Sequence, residues 1–118
     1  MAIEDLLSDI TKRFASAGAA ALTPSELIVN NISDAAFFVT SGGVSGLLYN
    51  TTETRKREIS ASVSAVPMPE FSEWLAKAFA CKDKGQERLL EREFAQFEES
   101  VYSRLEDFLS SSAASRPT

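Results

Sequence analysis

The C-terminal part of the chain carries the pattern that most limits what this sequence can fold into. Between Leu90 and Phe108 the large apolar residues follow one another at steps of 4, 3, 4, 4 and 3. Such steps place every one of them on the same side of an α-helix, whereas a β-strand would divide them between its two faces. The sequence therefore predicts a long amphipathic C-terminal helix whose apolar stripe needs partners. The stripe consists of Leu90, Phe94, Phe97, Val101, Leu105 and Phe108.

A strong helix start lies near the beginning of the chain. Thr23 is followed by Pro24 and, three positions after Thr23, by Glu26, which is the pattern of a capping box with proline at the first helical position. The helix that begins here should run to the double glycine Gly42–Gly43 and end there in a left-handed cap. A short helix over residues 44–49 should follow.

The remaining segments also indicate helices. Apolar residues recur every three or four positions from Ile3 to about Ala17, and again in the segment Glu70–Ala80. The stretch 58–66 alternates apolar residues with serines, as strands do, but it fits a helical face too, and the charged residues before it favour a helix. We expect an all-α, single compact domain of five or six helices over residues 1–112, with a flexible C-terminal tail at 113–118.

The length and the cysteine content of the chain limit its number of domains and the compartment in which it resides. A chain of 118 residues is enough for one domain with one core. Its single cysteine, Cys81, has no partner for an internal disulfide, which is typical of a reducing compartment. The N-terminus is acidic and its apolar residues are spaced, unlike a signal peptide, and no apolar run approaches the roughly 20 residues that span a bilayer. We therefore expect a cytoplasmic protein.

The absence of histidine narrows the possible chemistry. Without histidine the chain lacks the commonest general base and metal ligand near neutral pH, and it has no Ser-His or Cys-His pair. Cys81 lies beside lysines but reads best as an ordinary thiol at a helix end. We expect no cofactor, no metal and no enzymatic activity. The glycine-rich stretch 41–46 lacks the preceding strand of a phosphate-binding loop, so a tight corner between helices is the better interpretation.

The stretch from residue 22 to 50 combines a helix start, a double glycine and a final asparagine, formed by Leu22, Thr23, Pro24, Glu26, Gly42, Gly43 and Asn50. This combination resembles the pattern of a bacterial family of small helical proteins that takes its name from a DNA-mimic protein and is largely a domain of unknown function. The acidic, aromatic-spaced last helix is similar to that of the family as well, so the resemblance covers roughly residues 20–110. The chain departs from the family pattern at Ser41, Val44, Gly46, Leu47 and Leu48.

This resemblance implies an all-α protein that can form a homodimer and whose carboxylates can imitate DNA phosphates on the surface of a DNA-binding protein. Carried over to this sequence, the candidate partner-binding residues are Glu87, Glu91, Glu98, Glu99, Glu106 and Asp107, with Glu70 and Glu73 of the preceding helix. Arginines on the same last helix dilute its negative field. The alternative interpretation of these carboxylates is a solvated helix face.

The expected function is that of a non-enzymatic acidic interaction protein, bacterial or phage, which binds and inhibits a nucleic-acid-binding protein such as a DNA-binding regulator or a nucleic-acid-dependent enzyme. The net charge of −5 disfavours direct contact with nucleic acid or with an anionic membrane. Two alternatives stay open. One is an immunity or assembly module that binds a protein partner through an apolar surface, and the other is a small enzyme that depends on carboxylates or on Cys81.

Overall fold

A computed structural model of the chain describes residues 3–114, and this part of the chain contains α-helices, one short 3-10 helix and no strand. The predicted all-α fold is confirmed. The helices are α1 (Ile3–Ala17), α2 (Pro24–Asn50), α3 (Glu53–Ala65), α4 (Pro69–Phe79) and α5 (Lys84–Ala114), and the 3-10 helix (Gly18–Ala21) joins α1 to α2. Helix α5 packs against α2 and α4, α3 packs between α2 and α4, and α1 lies against α2.

The predicted capping box at the start of α2 is confirmed. The Thr23 hydroxyl accepts a hydrogen bond from the backbone N–H of Glu26 at 3.2 Å, and the Glu26 carboxylate accepts one from the backbone N–H of Thr23 at 3.0 Å. The guanidinium of Arg13 in α1 donates to both oxygens of the same carboxylate. Glu26 therefore both starts α2 and ties α1 to it.

The Arg13 contact gives the stability of the domain a defined dependence on pH. Hydrogen bonding from Arg13, with smaller contributions from Thr23 and from the charge of Arg13, outweighs the effect of burial and lowers the pKa of Glu26 from 4.5 to about 2. Because the folded-state pKa is depressed, the ionised carboxylate stabilises the fold above about pH 4.5, and this contribution is lost as the pH falls towards 2. We expect Glu26→Gln to lower the free energy of unfolding at pH 7 by about 1–2 kcal/mol and to flatten its decline between pH 4.5 and 2. Urea unfolding across that range measures both effects.

The control for this prediction is Glu53→Gln. Glu53 also lies in the first turn of a helix and forms an ion pair, with Lys56, but its side chain is 83% exposed. Its removal should change the free energy of unfolding by less than about 0.5 kcal/mol. Equal losses in the two variants would contradict the role assigned to Arg13 and Glu26.

Helix α2 bends at Gly43. Its φ of 67° and ψ of −162° leave the helical region for one residue, and helical conformation resumes and continues to Asn50. The predicted division of this segment therefore falls at the right residue. The predicted left-handed cap is wrong in detail, because φ is positive but ψ is extended, a combination that only glycine adopts readily.

The ambiguous stretch 58–66 is helical up to Ala65, and Val66 is the C-cap residue with extended backbone. It belongs to α3, whose first turn is capped by the Thr52 hydroxyl, which accepts from the N–H of Arg55 at 3.1 Å. Ile59 and Val63 are buried, four positions apart, while Ala61 is exposed. The buried apolar residues are therefore spaced as on one side of a helix. The alternation of serines with apolar residues does not indicate a strand, because a strand would bury Ala61 together with Ile59 and Val63.

A cluster of aromatic side chains forms the part of the core where α4 meets α5. Trp74 lies among the rings of Phe71, Phe94 and Phe97, and its ring centroid is 5.2 Å from that of Phe94. The indole N–H donates to the backbone carbonyl of Leu90 at 2.7 Å. The predicted apolar stripes of these two helices thus face each other, and the indole fixes their register.

Two features lie outside this core. Helix α5 continues to Ala114, so the first two residues of the expected tail at 113–118 are helical, and residues 115–118 lie outside the described part of the chain. Cys81, in the connection between α4 and α5, is buried, and its thiol is 3.4 Å from the carbonyl oxygen of Asp83. Within residues 3–114 no helix has both the length and the apolar character that crossing a membrane requires.

Candidate partner-binding site

Three of the six candidate glutamate and aspartate residues of α5 turn towards α2. Their carboxylates accept hydrogen bonds from groups on both sides of the bend in that helix. The pairs are Glu87 Oε1 with the Ser45 hydroxyl at 2.8 Å, Glu91 Oε1 with the Val44 backbone N–H at 3.1 Å, and Glu98 Oε1 with the Thr40 hydroxyl at 3.0 Å. These three residues fasten α5 along α2, so part of their hydrogen-bonding capacity is already used inside the domain.

Glu91 occupies the space that the missing side chain of Gly43 leaves. A Cβ atom built on Gly43 would overlap Glu91 Oε1 and lie 3.0 Å from its Cδ. The carboxylate meets the N–H of Val44, which begins the second part of α2, where unpaired N–H groups and the helix dipole favour a negative charge. The glycine stretch is therefore the place where α2 comes into close contact with α5. The Val44 N–H group, which could otherwise bind an anion, donates to the carboxylate of Glu91 in the same chain.

The other candidates are exposed and do not form one continuous face. Glu99 and Glu106 lie on the side of α5 that borders a groove, and Asp107 is exposed outside that groove. Glu70 and Glu73 lie on α4, beside a separate recess of about 370 Å³. The structure thus divides the predicted acidic set into a partly buried group that is hydrogen-bonded to α2, a groove-side pair and outlying residues.

The groove itself has a volume of about 890 Å³ and is formed by three helices. Residues 33–38 of α2 form its floor, residues 7–12 of α1 form one wall, and residues 99–106 of α5 form the other. The floor includes Phe37, which is 62% exposed, and the half-buried Phe38. Together with Leu7 these rings give the groove a mainly apolar lining, which is typical of grooves that bind a ligand or a partner.

Sequence reasoning missed this groove. Its most exposed aromatic side chain, Phe37, was not assigned to any surface. A signal was present, because the buried stripe of α2 contains Ile32, Ala35 and Val39, and Phe37 is out of phase with it. The sequence alone could not supply the two walls, which come from distant parts of the chain.

The charged side chains around the groove differ in whether they are already paired within the domain. Asp34 pairs with Arg55 of α3 at 2.6 Å, and burial raises its pKa while Arg55 opposes that effect. Lys12 on the α1 wall is exposed, and within the described residues neither Glu99 nor Glu106 has an ion-pair partner. The α5 wall therefore presents two open carboxylates, and the α1 wall presents one open cation.

Comparisons of the chain with protein-family models, with curated proteins and with solved structures give no match. The candidate site is therefore defined by its geometry. Within residues 3–114, no three acidic or cysteine side chains come together in a way that could hold a metal ion. The groove has an aromatic floor and a carboxylate wall, so apolar and charged groups converge in it.

Proposed function

We propose that this chain is a non-enzymatic binding module that holds a protein partner in the groove between α1, α2 and α5. The observation that carries the proposal is the open aromatic floor, where Phe37 is 62% exposed in a groove of about 890 Å³. Covering such a side chain is favourable, since burying apolar surface yields roughly 25 cal/mol per Å². The single buried thiol of Cys81 supports a reducing, cytoplasmic setting for this binding.

The test compares two substitutions that add the same charge at equally exposed apolar positions. Phe37 lies in the groove and is 62% exposed, whereas Leu89, on α5 outside the groove, is 59% exposed. We expect Phe37→Asp to abolish capture of a partner from host lysate, because it places a carboxylate on the apolar floor. Leu89→Asp should leave the capture intact. Mass spectrometry identifies the captured proteins for both variants and for the unmodified chain.

Either of two results would contradict the proposal. If Phe37→Asp and Leu89→Asp capture the same proteins as the unmodified chain, the groove is not the binding surface. If Leu89→Asp alone loses the partner, the surface lies at the start of α5. Circular dichroism on each variant confirms that helix content is retained, so that a loss of capture reports on binding.

A second, finer candidate concerns the partner. We infer that it is a nucleic-acid-binding protein, which this chain inhibits by presenting carboxylates in place of phosphates. The supporting observations are the open carboxylates of Glu99 and Glu106 beside the groove, the exposed Asp107 near them, and the family resemblance. The exposed Arg88 and Arg92 on the same helix weaken the field, so this candidate depends on the α5 wall and not on net charge.

Charge reversal separates this candidate from binding through the apolar floor alone. The double variant Glu99→Lys/Glu106→Lys and the control Glu70→Lys/Glu73→Lys change the net charge equally, and all four side chains are exposed. Phosphate-like binding predicts that the first variant loses affinity for the captured partner by at least about tenfold and also loses its salt dependence. It also predicts that duplex DNA competes with the unmodified chain. Equal behaviour of the two variants would remove this candidate and leave the apolar groove.

A further inference from the structure

We propose that the groove binds an amphipathic α-helix of the partner, with an apolar stripe facing α2 and basic residues along the flank that faces α5. This inference rests on the proposed function and specifies the chemistry of the docking segment. Its basis is the arrangement of the three groove helices and the opposite charges of the two walls.

The length of the groove matches about two turns of a further helix. Its α5 wall extends from Glu99 to Glu106, which lie seven positions and therefore two helical turns or about 10 Å apart along the axis. The floor offers Phe37 and Phe38 of α2, and Leu7 of the α1 wall adds to it. A helix laid along this groove brings side chains at positions i, i+3 or i+4, and i+7 onto the apolar floor, the spacing with which helices bind in hydrophobic grooves.

The charges of the walls determine which flank of that helix is basic. Glu99 and Glu106 are seven residues apart, so they lie on the same side of α5 and can meet two Lys or Arg residues on one flank. The exposed Lys12 on the opposite wall disfavours basic residues on the other flank. Asp34 adds little attraction because Arg55 already neutralises it. The groove therefore selects a helix with one basic flank and one neutral or acidic flank.

Two synthetic peptides of 18 residues test this selection directly. Both carry leucines at the apolar stripe, and they differ only in having lysines or glutamates at two positions on one flank, seven residues apart. Fluorescence anisotropy at about 0.15 M salt measures their affinity for the full chain. We expect the lysine peptide to bind at least about tenfold more tightly than the glutamate peptide. The variant Glu99→Lys/Glu106→Lys should reverse that order, and Glu70→Lys/Glu73→Lys should preserve it.

The apolar part of the inference has its own test. Phe37→Asp should weaken binding of the lysine peptide by about tenfold or more, while Leu89→Asp should not. Equal binding of the lysine peptide to Phe37→Asp and to the unmodified chain would overturn the inference, because the attraction would then be a general one between opposite charges. Preservation of the lysine preference in the Glu99→Lys/Glu106→Lys variant would overturn the assigned flank.

Two further outcomes distinguish this inference from the proposed function. If neither peptide binds while Phe37→Asp still abolishes capture from lysate, the helical partner is excluded and the binding module stands. If sedimentation velocity shows a dimer of the unmodified chain that dissociates in Phe37→Asp, the groove is an interface between two copies of this chain. That result would overturn a partner helix as the occupant.

Discussion

Replacing Gly43 with alanine is expected to lower the free energy of unfolding by about 3 kcal/mol, a large fraction of the stability of a domain of this size. Two costs combine. The φ of 67° and ψ of −162° at this position cost a residue with a Cβ about 1–3 kcal/mol. The new Cβ would also displace the carboxylate of Glu91 from the N–H of Val44, leaving that group without its partner at roughly 1 kcal/mol or more.

The neighbouring glycine provides a matched control. Gly42 has no positive φ, and a Cβ built on it meets no atom within 4 Å. Gly42→Ala should therefore leave the domain as stable as before or stabilise it by about 0.5–1 kcal/mol, because alanine restricts the unfolded chain. Urea unfolding followed by circular dichroism compares the two variants. Similar effects at both positions would show that the bend tolerates a side chain and that Glu91 does not depend on the glycine.

Local patterns in the sequence were sufficient for most of the fold. The capping box of Thr23 and Glu26 depends on residues three positions apart, and the stripe of α5 depends on steps of three and four, so both can be read along the chain. The glycines likewise marked the bend in α2. What holds the bend is a hydrogen bond between residues 47 positions apart, from Val44 to Glu91, and no local pattern indicates such a pair.

The same limit explains why the candidate site could be predicted only in part. Helical spacing put several carboxylates on one side of α5, but it could not tell which of them face α2. Glu91 and Glu98 turned inwards, whereas Glu99, one position after Glu98 and thus 100° around the helix, borders the groove. The groove depends on how α1 and α5 flank α2, which is a property of tertiary packing.

The largest loss of stability is expected for Trp74→Ala, about 4 kcal/mol. Trp74 is 2% exposed, lies among three phenylalanine rings and donates its indole N–H to Leu90. Removing a buried tryptophan typically costs about 3–5 kcal/mol, because packing contacts are lost and a cavity stays behind. Urea unfolding followed by far-UV circular dichroism measures the loss, since this variant lacks the chain's one tryptophan.

Two further variants separate the causes of that loss. Trp74→Phe keeps most of the ring packing but removes the hydrogen bond to Leu90, and we expect it to cost about 1–2 kcal/mol. Tyr49→Ala also removes an aromatic side chain, but Tyr49 is 91% exposed, so the change should stay within about 0.5 kcal/mol. A loss at Trp74→Ala no larger than that at Tyr49→Ala would contradict the packing of α4 on α5.

Trp74 of α4 and Gly43 of α2 both act on the same turn of α5. The indole holds the carbonyl of Leu90 towards α4, and the next residue, Glu91, reaches across to the bend in α2. Loss of either contact makes this turn of α5 more mobile and so weakens the other contact. The stability effects of two substitutions that act on one segment are rarely additive. The double variant Gly43→Ala/Trp74→Phe should therefore lose less stability than the sum of the single losses, by about 0.5–1 kcal/mol. Strict additivity in urea unfolding would show that α4 and α2 pack against α5 independently. The position of the groove floor relative to the α5 wall would then not depend on α4.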